Sequence, residues 1–147
     1  MKLTSPVFLN EGMIPLDFTC DGENKNPPLS IREVPVEAKS LALIMDDPDA
    51  PRGTWTHWTI WNLAPETREI ASQEIFSGAL EGLTSFGEAG YGGPCPHAGT
   101  HRYYFRLYAL DAKLALPAGS TVEVLRQVMS EHILADTELM GRYARMK

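Results

Sequence analysis

At 147 residues, 44% hydrophobic and 22% charged, the chain is long enough to bury a sizeable core and is read as a single domain over 1–147. Thirteen Lys and Arg against nineteen Asp and Glu leave a formal charge of −6, the wrong sign for tracking a nucleic-acid backbone or an anionic leaflet, so any anion has to be held by local geometry. Apolar runs such as 41–45 are too short for a membrane span and Met1-Lys2-Leu3-Thr4-Ser5-Pro6 lacks a signal-peptide core, so the expectation is a cytoplasmic protein without integral membrane contact.

Eleven prolines and twelve glycines cut the chain into short runs rich in β-branched and aromatic residues, which predicts a β-sandwich rather than a helical bundle. Residues 40–46 read as a buried strand. The following Asp46-Asp47-Pro48-Asp49-Ala50-Pro51 is a turn stiffened by two prolines, which holds the carboxylates of Asp47 and Asp49 in place, although Asp-Pro is also ordinary turn chemistry. Residues 56–63 read as a second strand, with Trp58 and Ile60 on one face and Thr59, Trp61 and Leu63 on the other. Inside it His57 needs a partner. A carboxylate at Asp47 or Asp49 would favour its imidazolium form and make a fixed donor for an anion.

Residues 65–90 show little periodicity and read as a long surface connection. Gly90-Tyr91-Gly92-Gly93-Pro94-Cys95-Pro96-His97-Ala98-Gly99-Thr100-His101-Arg102-Tyr103 is the most informative stretch. Its glycines let backbone N–H groups turn toward one point while its prolines keep the turn rigid, which suits an oxyanion. It runs into a strand over 102–110 with Tyr103, Phe105, Leu107 and Ala109 on one face; His101 shares that face. A helix is predicted from Ser120, with Glu123 completing a capping box, to about 130–132. Residues 133–143 fit a terminal strand, with a helical extension left open.

Cys20 and Cys95 lie 75 positions apart without a CxxC spacing, so free thiols are expected. Taken together, Asp-Pro-Asp-Ala-Pro at 47–51, Gly53-Thr54-Trp55-Thr56-His57-Trp58, Gly92-Gly93-Pro94 and His101-Arg102-Tyr103 closely resemble the phosphatidylethanolamine-binding protein family, in its short bacterial and archaeal form. The resemblance extends from Thr19-Cys20-Asp21-Gly22 and Pro27-Pro28-Leu29 to Glu138-Leu139-Met140-Gly141. It implies a mainly β, Greek-key antiparallel sandwich with one or two short helices. It also implies a pocket for phosphate-type head groups: Asp47, Asp49 and Pro51 on one wall, His57 on another, Gly93, Pro94, Cys95 and Pro96 supplying backbone, and His101 and Tyr103 closing it. His97, Asn26 and Ile31 depart from the usual pattern and are expected to alter the rim. The chain also stops soon after Tyr143, without the C-terminal extension of longer relatives.

The function expected is binding without catalysis, with no cofactor and no metal. The ligand would be a small phosphorylated or anionic molecule, and occupancy would modulate or inhibit a protein partner such as a kinase or protease. A homodimer through apolar side chains of 133–146 is a further expectation. The competing reading is a hydrolase with Cys95 as nucleophile and His57 or His101 as base; a metal site on Asp47, His57 and His101 is the weaker third.

Overall fold

A computed structural model describes residues 1–145, with eight strands and one α-helix. The strands are β1 (Lys2–Thr4), β2 (Leu29–Arg32), β3 (Ser40–Asp47), β4 (Trp55–Leu63), β5 (Glu69–Ile70), β6 (Leu80–Glu81), β7 (His101–Leu110) and β8 (Ile133–Tyr143); the helix is α1 (Val122–Met129). They form two antiparallel sheets, ordered β1-β2-β5 and β6-β4-β3-β7-β8. In the larger sheet β3, β4 and β6 are successive neighbours and β7 returns beside β3, which is the Greek-key connection.

The β3 sequence has no polar face until its end, because both of its faces are covered. Leu41, Leu43 and Met45 join Leu29, Ile31 and Ile70 of the small sheet in the main core, whereas Ala42 and Ile44 pack with Trp61 and with Leu125 and Met129 of α1. β7 alternates as its sequence predicts, with His101, Tyr103, Phe105, Leu107 and Ala109 inward.

Several expectations change at this level. Leu63 lies in the main core with Trp58 and Ile60 rather than with Trp61, because Asn62 takes a left-handed φ of 59° and the pairing with β3 shifts register there. The 65–90 stretch is not all surface connection: it contains β5, whose Ile70 is buried, and β6, whose Glu81 accepts a hydrogen bond from Trp58 Nε1 at 2.6 Å. The cap of α1 is Thr121, whose Oγ1 accepts from the Val124 N–H, while the Ser120 hydroxyl turns back to the Pro117 carbonyl.

Residues 133–143 are a strand along their whole length, paired with β7. Segment 11–14 docks on the outer edge of that strand, with Glu11 N–H donating to the Met140 carbonyl and Arg142 N–H to Gly12. Leu139, Met140 and Tyr143 are buried there, which leaves Ile133 and Leu134 as the exposed aliphatics of the surface expected to dimerise; Met146 lies outside the described residues.

Candidate functional site

The end of β3, the start of β4 and the start of β7 converge, and the turn after β3 and the loop before β7 close over them. The result is a cavity of about 620 Å³ lined mostly by apolar and aromatic surface. Asp47, Pro51, His57, Cys95, Pro96, His101 and Tyr103 line it. Asp49, Gly93 and Pro94, expected in the same wall, do not.

Each of those three has a different task. Asp49 turns outward to a two-pronged ion pair with Arg102, at 2.8 and 2.9 Å, and that guanidinium holds its carboxyl down at about 2. Gly93 donates its N–H to Asn24 Oδ1, and a Cβ there would lie 2.5 Å from the Phe18 carbonyl oxygen. Gly92 donates to the His57 carbonyl, so neither glycine N–H is left for an anion. Rather than forming an anion nest, Gly93 allows close approach of backbone to backbone, and Gly92 leaves room for the Phe86 ring, which a Cβ there would strike.

The Cys20 N–H donates to Pro94 O, and the same docking brings Cys20 and Cys95 into a disulfide, with their Cα atoms 5.5 Å apart. Free thiols were expected from the spacing. Two segments distant in the chain are neighbours in the fold, and spacing alone carries no trace of that. A disulfide sulfur is not a thiolate nucleophile, so the Cys95 hydrolase reading loses its nucleophile.

Asp47 pairs with His101, not with His57. Its Oδ2 accepts from His101 Nδ1 at 2.6 Å and its Oδ1 accepts from the Asp49 N–H at 2.8 Å, so both oxygens are engaged within the protein. His57 Nδ1 donates instead to the Gly92 carbonyl at 2.6 Å, and burial pulls its pKa below the ordinary imidazole value, against the smaller upward pulls of that hydrogen bond and then of Asp47. The imidazolium expected at His57 is therefore replaced by a neutral ring of fixed tautomer. Tyr103 is fully buried and its Oη has no hydrogen-bond partner; the Cys95 peptide lies near it without hydrogen-bond geometry. Burial, and then Asp47, push its phenol far above the ordinary tyrosine value, so it stays protonated. His101 lies roughly parallel to the Tyr103 ring at 6.4 Å, and His57 meets it edge-on at 5.2 Å.

Three lining residues escaped sequence reasoning. Trp55 and Phe86 meet edge-to-face at 5.5 Å, and Phe86 also abuts the His57 ring at 5.3 Å; Arg52 stands exposed at the rim. The signal for Trp55 was its place two residues before His57 on one strand face. Phe86 had none, because the connection that carries it is placed by Ser85, whose N–H donates to the Thr56 carbonyl. His97 does line the mouth, exposed. The other departures are remote: Asn26 braces the Ala71 and Gln73 backbone and Ile31 is core. Among the described residues, no three His, Cys, Asp or Glu side chains are grouped so as to hold a metal ion, and no helix is long and apolar enough to cross a membrane.

The family model for phosphatidylethanolamine-binding protein matches residues 4–144. The chain belongs to that family. A UPF0098 protein of Methanothermobacter thermautotrophicus is 47% identical, with 99% of each chain covered, and another from Chlamydia trachomatis is 46% identical over 97% of this chain and 98% of its own. Among solved structures, a phosphatidylethanolamine-binding protein homolog from Chlamydia trachomatis matches with TM-score 0.95 at 44% identity, covering 98% of this chain and 97% of that one. E. coli YbcL, described as a member of the mammalian family, matches at 0.92 and 27% identity, covering 99% and 98%.

Proposed function

We propose that the chain is a non-catalytic binding protein whose cavity takes a small molecule carrying a phosphate-type oxyanion. The observation that carries this reading is Tyr103 Oη: a fully buried hydroxyl without a protein partner, on a residue in the wall of a cavity that His57, His97 and His101 also line. An unsatisfied buried hydroxyl is costly unless a ligand supplies the missing bond. The Trp55–Phe86 rim and the cavity's size suit an ester with a short organic substituent better than a bare ion. The family's head group makes phosphoethanolamine the natural probe.

Titration calorimetry with phosphoethanolamine tests this. Tyr103→Phe removes a hydroxyl bonded to nothing in the free protein, so stability should hold while affinity falls by about 10- to 100-fold, the value of a hydrogen bond to a charged acceptor. Equal affinity in the two proteins, or no binding by either, would overturn it.

A further inference from the structure

The two buried histidines of the cavity spend the same nitrogen on the protein. His57 Nδ1 faces a carbonyl oxygen and His101 Nδ1 faces a carboxylate oxygen, each at 2.6 Å, and both acceptors require that nitrogen to carry the proton. What either ring has left for an occupant is Nε2, which in the neutral imidazole is a lone pair. A fully ionised oxyanion brings only lone pairs as well, so the two repel unless a proton stands between them. The buried Tyr103 hydroxyl has one proton to give and can satisfy a single ligand oxygen.

Resting on the oxyanion reading of this cavity, we infer that the pocket binds its ligand together with one proton, held between a ligand oxygen and His57 Nε2. Written as a balance, a deprotonated oxyanion, a neutral His57 and a solvent proton give one complex, either O–H···N or O⁻···H–N⁺. No other bond is made or broken. The class selected is an oxyanion able to share a proton at such a site, with phosphate monoesters the fitting example.

The surroundings favour His57 over His101 for this role. His101 already has a countercharge in Asp47 when the cavity is empty, with Asp49 behind it and the Tyr143 phenol on the neighbouring strand. A proton on that ring therefore does not depend on an occupant, whereas only an occupant's charge would offset one on His57. His57 is enclosed by the Tyr103 and Phe86 rings, Asp46 and Asp47 act on it only through space, and its bonded partner is an uncharged carbonyl. The other basic groups of the lining, Arg52 and His97, are exposed at the mouth, where solvent screens them.

The experiment counts protons. Methyl phosphate, with a second ionisation near pH 6, and sulfate, which stays ionised, are titrated calorimetrically at pH 8 in two buffers of different ionisation heat. Expected is uptake of about one proton per site for both anions, with methyl phosphate affinity falling about tenfold per pH unit from about pH 7.5 to 9. His57→Gln supplies an amide donor that needs no extra proton, so uptake should drop toward zero and the pH profile flatten. Binding with uptake below about 0.2 proton, or full uptake retained in His57→Gln, overturns the inference. Should that variant fail to fold by circular dichroism, the wild-type count decides. If neither anion binds between about pH 5 and 9, the oxyanion reading itself falls, a result distinct from binding without uptake.

Discussion

Asp46 and Asp47 are adjacent on β3 and face opposite sides of the sheet, and the two sides treat their carboxylates differently. Asp46 is buried under two guanidiniums: Arg106 reaches it at 3.1 to 3.3 Å and Arg126 of α1 at 3.3 Å, while Arg106 also grips Glu138 at 2.8 Å and lies over the Tyr104 ring at 4.5 Å. Charge meets charge there and the carboxylate has cationic partners of its own, which describes a clamp between helix and sheet. On the other side, Asp47 is bonded only to a backbone N–H and an imidazole, and around it stand a phenol without a partner and two rings with Nε2 to spare. Buried hydroxyls lack a partner on both sides, Thr59 Oγ1 on that of Asp46 and Tyr103 Oη on that of Asp47, and of these two it is Tyr103 that lines the cavity. The same residue type one position apart thus serves as a structural tie on one side and as an orienting group on the other.

That contrast can be broken experimentally. The largest effect should come from the pocket side's covalent brace: Cys20→Ser with Cys95→Ser removes a cross-link closing a 75-residue separation and should lower unfolding free energy by about 2–4 kcal/mol. Phosphoethanolamine affinity should fall with it, since the loop carrying Cys95, Pro96 and His97 loses its tether. Loss of stability in denaturant titrations with unchanged affinity would show that the loop holds its shape without the bond.

Next, Asp46→Ala should cost about 1–3 kcal/mol, because α1 loses its tie to the sheet. Arg106 keeps Glu138 and Arg126 can turn to solvent, which caps the loss. Ligand affinity should stay within about twofold, and a larger change would mean that the two sides are coupled through β3.

The smallest effect concerns Asp49 and Arg102. The arginine depresses the Asp49 carboxyl to about 2, below its value in an unfolded chain, so its contribution is present above about pH 4 and lost as pH falls through about 2. The side chains are 28% and 46% exposed, which screens the pair and limits the difference to under about 1 kcal/mol. Acid unfolding of Asp49→Asn should be correspondingly flatter over that interval, with the binding pocket unaffected.

Much of the fold was legible because it rests on local pattern. Alternation across 101–110, the apolar run of 40–46 and the Gly/Pro punctuation each follow from which faces are covered, and the resemblance drew its Greek key from motifs spread along the chain. The errors also share a cause. Leu63 moved sides because one left-handed residue, Asn62, reset the strand's parity. Asp49 and Gly93 left the site because Arg102 and Asn24 claimed them, and neither partner is signalled by local sequence.

By itself, the sequence determined the inward face of β7, the stiff turn after β3 and the residue types gathered near one end of the sheet, since each depends on steric and periodic rules acting over a few residues. Only the tertiary structure decided which carboxylate orients which histidine, that Cys20 meets Cys95, that Phe86 walls the cavity, and that Tyr103 is left without a partner. Those are pairings between distant segments, and hydrogen-bond donors and acceptors become committed only when folding brings the segments within reach of one another.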